Sequence, residues 1–262
     1  MSRIACVGDN CIDFYEQTGG AFPGGNPVNL AVYTCRLGGE ASYTGAVGTD
    51  AYGAFLVDAL RQKGVDVSHV QVREGKTALT QVSMENGDRV LGDYDEGVMA
   101  DFSLSNEDID FLCTHELVIS GLWGRAENDF AAISRRGVLT AFDCADRPED
   151  AAARAALPHT DIAFFSDDRP DEAALKQRIR AIFAMGPRLV VATRSAAGSL
   201  AFDGEWFYSF GIIPCTVVDT MGAGDSYIAG FLQAYLNKQS VPACMEAGAR
   251  ASVETLGYFG AW

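Results

Sequence analysis

Six short apolar runs recur along the chain, at Ile4 to Val7, Ala41 to Val47, Leu117 to Ser120, Leu139 to Asp143, Ile162 to Phe165 and Leu189 to Thr193. They alternate with helix-length segments whose apolar residues repeat every three or four positions. These lie at Pro27 to Leu37, Gly53 to Lys63, Glu127 to Arg135, Glu172 to Met185, Ala223 to Asn237 and Pro242 to Leu256. Alternation of this kind specifies an α/β fold, a mostly parallel sheet covered by helices on both faces. With 262 residues, 48% of them hydrophobic, the chain can bury a large core, and a single domain over residues 1–262 is expected.

Two stretches break the pattern. Thr77 to Met84 and Arg89 to Tyr94 alternate apolar and polar residues around Glu85-Asn86-Gly87-Asp88, which signals a hairpin. Phe14 to Phe22 also falls outside the helical scheme. A second hairpin is expected at Ser199 to Tyr208, about Asp203-Gly204.

The segment from Val217 to Leu236, VVDTMGAGDSYIAGFLQAYL, carries the chemistry. Gly222, Ala223 and Gly224 form a turn small enough for backbone amides to converge, and a helix leads out of it. The first amides of that helix have no intrahelical partners and its dipole is positive there, so the turn suits an anion. Tyr227, Ile228, Phe231, Leu232, Tyr235 and Leu236 make the apolar stripe that anchors the helix. Asp225 is thereby held rigidly beside the turn. Upstream, Asp9, Asn10 and Asp13 follow the apolar run IACV, where open α/β sheets bind their ligands. In GGNPVNLAVYTCRLGG, Asn26 reads as a helix N-cap, Pro27 as a first-turn residue and Gly38 as the residue past the end. Asn29 has no such structural explanation. It can point at whatever the Gly24-Gly25 turn encloses. Asp50, in VGTDAYG, reads as a helix cap.

The string DTMGAGD, together with GGNPVN and VGTDAYG in that order, resembles the signatures of the ribokinase-like carbohydrate kinases, the PfkB family. The resemblance implies the ribokinase-like sheet with a small β lid, its strands drawn from about residues 14–22 and 77–100. It implies ATP and Mg2+, with Asp225 as catalytic base, Gly222, Ala223 and Gly224 as the anion hole, and Gly24, Gly25, Asn29 and Asp13 lining the sugar site. Asp9, Arg89 and Tyr94 join these as candidate substrate contacts, and Thr193, Gly198, Gly222 and Gly224 as candidate nucleotide contacts. A monovalent cation near the loop after Asp219 is a further element of the resemblance.

Two departures fall in the nucleotide half. Ser166, Asp167, Asp168 and Arg169 stand where many members carry Asn-x-x-Glu, the pair that organises magnesium, so no metal ligand is assigned. In Thr-x-Gly-x-x-Gly, Thr193 and Gly198 match, but Ser195 replaces a glycine, which strains the backbone if that position needs a positive φ.

Several strings, GDNCID, DRVLGDYDEGVMADF, Trp123-Gly124 and Gly260-Ala261-Trp262, resemble a branch of the family that phosphorylates the 6-hydroxyl of fructosamines such as fructoselysine. Asp93, Asp95 and Glu96 could meet the amine of such a substrate and Arg89 a carboxylate. The alternatives are a kinase for fructose, another ketose or a riboside, and a non-catalytic sugar sensor on the same fold.

A net charge of −15 argues against nucleic acid as a partner. No apolar run is long enough for a membrane span and no leader precedes the first strand, so the protein reads as cytoplasmic. Seven scattered cysteines without CxxC spacing read as reduced thiols. An apolar lid edge would suit a homodimer.

Overall fold

The computed structural model describes residues 2–17, 19–85 and 88–262. Its large sheet has eight strands. In chain order these are β1 (Arg3–Val7), β4 (Glu40–Thr44), β9 (Leu117–Gly121), β10 (Leu139–Asp143), β11 (Ile162–Ser166), β12 (Leu189–Thr193), β13 (Ser199–Phe202) and β14 (Phe207–Phe210). Across the sheet the order is β14-β13-β12-β11-β10-β9-β1-β4. The six strands from β12 to β4 run parallel, and the hairpin β13/β14 closes one edge antiparallel. Each parallel strand is buried on both faces, so its residues divide by parity between two cores. Ile4, Cys6, Leu117, Ile119, Ile162 and Phe164 enter one, and Ala5, Val7, Val118, Ala163 and Phe165 the other.

Helices α1 (Asn26–Arg36), α2 (Ala51–Gln62), α7 (Ala223–Leu236) and α8 (Val241–Leu256) supply the first core, through side chains such as Leu30, Leu56, Phe231 and Met245. Helices α3 (Asn106–Leu112), α4 (Phe130–Arg135), α5 (Ala151–Ala156) and α6 (Glu172–Phe183) supply the second. The sequence pattern missed α3 and α5, which have only seven and six residues. Fewer than two turns cannot display a repeating stripe. It also placed the start of α4 three residues early, and read as one strand the stretch that Gly45 breaks into β4 and β5 (Ala46–Gly48).

A separate four-stranded sheet has the order β3-β2-β7-β8, built from β2 (Cys11–Tyr15), β3 (Gly20–Gly24), β7 (Leu79–Glu85) and β8 (Asp88–Asp95). It joins the two places singled out in the sequence, with β2 and β7 parallel and the outer pairs antiparallel. Of the hairpin turn, Asn86 and Gly87 lie outside the described residues. A short parallel pair, β5 with β6 (Gln71–Arg73), lies beside α2.

Asp50 ties these parts together. Its carboxylate caps α2 by accepting the Gly53 N–H at 2.9 Å, and also accepts the Thr77 N–H at 3.0 Å and the Thr77 hydroxyl at 2.6 Å. A helix start and the segment leading into β7 thus share one carboxylate. Asp50→Ala removes all three bonds and should lower stability by about 2 kcal/mol. A lower urea midpoint at unchanged m-value would check this; an unchanged midpoint would deny Asp50 that role.

Candidate active site

The site is assembled where β1 and β10 end, α1 and α7 begin, and the small sheet approaches. Gly222 caps α7 with φ of 74°, a left-handed conformation that suits glycine. The first intrahelical bond of α7 runs from the Ser226 N–H to the Gly222 carbonyl at 2.8 Å. Gly224 and Asp225 precede it, in the turn where helix amides lack internal partners. The Ala223 amide departs from expectation. It donates to the Thr220 carbonyl at 3.2 Å, so the turn itself uses one of the three amides expected to face an anion.

Asp225 is held by two asparagines from α1. Asn26 Nδ2 donates to Oδ1 at 2.7 Å and Asn29 Nδ2 donates to Oδ2 at 2.7 Å. The N-cap of α1 is therefore not Asn26 but Gly25, whose φ of 110° brings it against the Asn10 backbone. A Cβ at Gly25 would lie 2.7 Å from Asn10 Cα. Freed from capping, the Asn26 side chain bridges two carboxylates, donating also to Asp143 Oδ2 at 2.9 Å. Pro27 sits in the first turn and Gly38 follows the end of α1 with φ of 86°, as their residue types suggested.

Asp143 was missed in the sequence. The signal was present, because it is the last residue of β10 and so stands at the carboxyl end of a parallel strand, the same argument that singled out the residues after β1. Asp9 stands at that end of β1, buried, with Oδ2 accepting the Asn26 N–H at 3.3 Å. Asp13 instead belongs to β2 of the small sheet, where it pairs with Phe22 and Thr80. Its carboxylate lies where a Gly24 side chain would begin, 2.7 Å from the missing Cβ, so glycine at that position makes room for it.

Burial dominates the electrostatics. It raises Asp225 to about 6, opposed by the Asn29 and Asn26 hydrogen bonds and assisted by the charge of Asp9. Asp143 rises to about 7, through burial first and then through the charge of Asp225. Asp9 rises to about 6, again chiefly by burial. Three carboxyls crowded away from water thus compete to stay neutral. The sign follows. Between pH 4 and 7 the folded chain holds protons that the unfolded chain has released, so stability from these groups falls as pH rises. Asp143→Asn should therefore gain on the wild type between pH 5 and pH 8, by roughly 2–6 °C in Tm. A difference in Tm that does not change over this range would show that Asp143 does not ionise there.

The remaining candidates divide into two groups. Tyr94 shares a face of the small sheet with Thr80 and Asp13, and its phenol is pushed up by burial and by the charges of Asp9 and Cys11. Arg89 lies in β8, but its side chain falls outside the described residues. Asp95 pairs with Leu79, so strand parity turns it to the opposite face. Asp93 and Asp95 line, with Lys76, Tyr52 and Gln81, a cavity of about 590 Å³ there. Glu96 is ion-paired with Arg125. The acidic residues expected to meet an amine are thus separated from Asp13 or already paired.

In the other group, Thr193 ends β12 and Gly198 has φ of 80° against the backbone of Phe210 and Gly211. Ser195 has φ of 44°, the strained conformation that its replacement of a glycine implied, and its hydroxyl donates to Asp168 at 2.7 Å. Asp167 accepts from Arg169 Nε at 2.8 Å and Arg178 at 2.9 Å, which holds its carboxyl well below the usual range. Two guanidiniums therefore claim Asp167, one of the two acidic residues that stand where the family's magnesium pair would be. Among the described residues no group of three His, Cys, Asp or Glu side chains could hold a metal ion. Asp219 accepts the N–H groups of Met221 at 3.1 Å and Gly260 at 2.7 Å.

The pfkB family carbohydrate kinase pattern matches residues 1–261. The chain belongs to that family and is an ATP-dependent sugar kinase. It is 45% identical over 262 residues to fructoselysine 6-kinase of Shigella flexneri, with all of both chains covered. It is 31% identical over 264 residues to a fructosamine kinase of Bacillus subtilis, covering 99% of this chain and 93% of that one. Arabidopsis thaliana ribokinase, solved with ribose and ATP, superposes with a TM-score of 0.90 at 22% identity, covering 99% of this chain and 93% of that structure. The ribokinase-like fold expected from the sequence is the fold observed. No described helix is long and apolar enough to cross a membrane.

Proposed function

We propose that the chain, as a single domain, phosphorylates the 6-hydroxyl of a fructosamine such as fructoselysine, with ATP as donor and Asp225 as general base. The observation that carries this reading is the setting of Asp225. Each carboxylate oxygen accepts one asparagine N–H, which fixes the group while leaving lone pairs for a substrate hydroxyl. Its pKa near 6 keeps it ionised at neutral pH yet more basic than an exposed aspartate. As the hydroxyl oxygen attacks the γ-phosphorus in line, its proton passes to Asp225, and ADP leaves. Amides at the Gly222-Gly224 turn stabilise the charge on the transferring group.

Magnesium bound with ATP would supply charge neutralisation at the phosphates, and among the described residues no cluster of His, Cys, Asp or Glu side chains would cage it. The small sheet acts as a lid, carrying Asp13 and Tyr94 onto the sugar and excluding water as a competing acceptor. Phe22, on the edge strand β3, is exposed and would be covered by a second copy of the chain. The fructosamine is favoured over a neutral ketose by the relatives, two fructoselysine 6-kinases at 45% and 44% identity and a fructosamine kinase at 31%.

Asp225→Asn should lower kcat by about 10²- to 10⁴-fold with the fold intact. ADP release by the purified protein checks this, and near-normal turnover would remove the base assignment. Presented with magnesium-ATP and fructoselysine, fructoseasparagine, fructose or no sugar, the wild type should turn over a fructosamine at least about 100-fold more efficiently than fructose. Turnover of fructose alone would keep the mechanism and discard the substrate. No turnover with any acceptor would favour a sugar sensor.

A further inference from the structure

Trp262 stands 37 positions beyond Asp225 and makes no contact with it among the bonds described, yet the two are joined through one amide. The indole Nε1–H donates to Asn29 Oδ1 at 2.8 Å, and Nδ2 of the same amide donates to Asp225 Oδ2 at 2.7 Å. An indole nitrogen can only donate, and an ionised carboxylate can only accept. An asparagine amide between them has one orientation that satisfies both. Rotated by half a turn, it would set N–H against N–H and oxygen against oxygen. Asn29 is 5% exposed, so water has little access to repair that mismatch.

The segment that carries Trp262 is itself pinned to the site. The Gly260 N–H donates to Asp219 at 2.7 Å, and the Tyr33 hydroxyl, from α1, donates to the Ala261 carbonyl. The absent Cβ of Gly222 would fall on that same hydroxyl and 3.3 Å from Ala261 Cα, so the segment packs directly on the turn that begins α7. Lys63 lies 5.7 Å from the centre of the indole ring. A residue this well located can impose direction on its neighbour.

We propose that Trp262 is a positioning residue for the base: by occupying Asn29 Oδ1, it fixes the amide with its N–H group toward Asp225. The inference rests on the reading of Asp225 as base. With the indole donor gone, an ionised Asp225 still selects the N–H orientation, but the amide can now turn its oxygen to accept from the protonated carboxyl, an arrangement that the indole had blocked. The neutral form of Asp225 is thereby favoured, its proton affinity rises, and its oxygen is no longer held in place.

Trp262→Phe keeps an aromatic ring and removes the donor. The expected result is a fall in kcat of about 5- to 20-fold, with KM for the sugar within about twofold. The acid limb of the kcat/KM profile should move to higher pH by about half a unit to one unit, since the base is active only when ionised. The groups that face Asp225, namely Asp9, Asp143, the Cys6 thiol and the Tyr33 phenol, are unchanged by this substitution. In an Asn29→Ala background, Trp262→Phe should add less than about a twofold loss, because the residue it acts through is gone.

Full additivity of the two substitutions, or an acid limb that does not move, would overturn the proposal. If Trp262→Phe lowers Tm by more than a few degrees, benzothienylalanine at position 262 keeps the shape of the ring and lacks only the N–H, and the same outcomes apply. Retained turnover in Asp225→Asn would sink the base assignment itself, which separates that failure from a failure of Trp262.

Discussion

A buried carboxylate gripped by two amides is the constraint on which this structure turns. Asp225 could not sit at the start of α7 without compensation, since desolvation disfavours its charge. Asn26 and Asn29 supply that compensation from α1. For both amides to reach, α1 and α7 must lie side by side over the same end of the sheet, and they share one core through Leu30, Phe231 and Leu232. Packing of the two helices and chemistry of the site are therefore one arrangement. The compensation is partial, and Asp225 remains a stronger base than an aspartate in water. In the proposed reaction, that residual cost in stability is what makes the group useful.

The same tension runs through the rest of the site. Asn26 serves Asp143 as well as Asp225, and its backbone N–H serves Asp9, so one residue moderates three carboxylates. Among the described residues no lysine or arginine is bonded to any of the three, whereas Asp167 has two guanidiniums on it. A carboxylate held by arginines stays ionised and weakly basic, while one held by amides keeps a pKa that can be used. Asp167, just past the end of β11, is held by ion pairs, and Asp225 by neutral donors.

Much of this was legible before any coordinates. Strands such as Leu139–Asp143 and Leu189–Thr193 were bounded correctly because a buried parallel strand is an uninterrupted apolar run. Asp50 as a cap, Gly38 past the end of α1 and the strain at Ser195 followed from what those residue types can and cannot do. Asn29 stood out for a physical reason, being polar where a helix had no need of it. What escaped was of two kinds. Short helices left no periodic trace, and residues whose role depends on a partner distant in sequence gave no local sign of it. Asn26 looked like a cap because caps are asparagines. Only the position of Gly25 shows that the capping place was already taken.

The sequence by itself determined the fold class, the glycine turn ahead of a helix and the identity of the carboxylate beside it, because each depends on interactions within a few residues. Tertiary structure decided which groups that carboxylate meets. Asn26 and Asn29 lie nearly two hundred residues before Asp225, and Asp143 and Trp262 lie far from both. It also decided that Asp93 and Asp95 turn away from the face of the small sheet that carries Asp13, since strand parity can be read only once the register is known. Burial and hydrogen bonding set the protonation of a site, and both arise only when distant segments pack together.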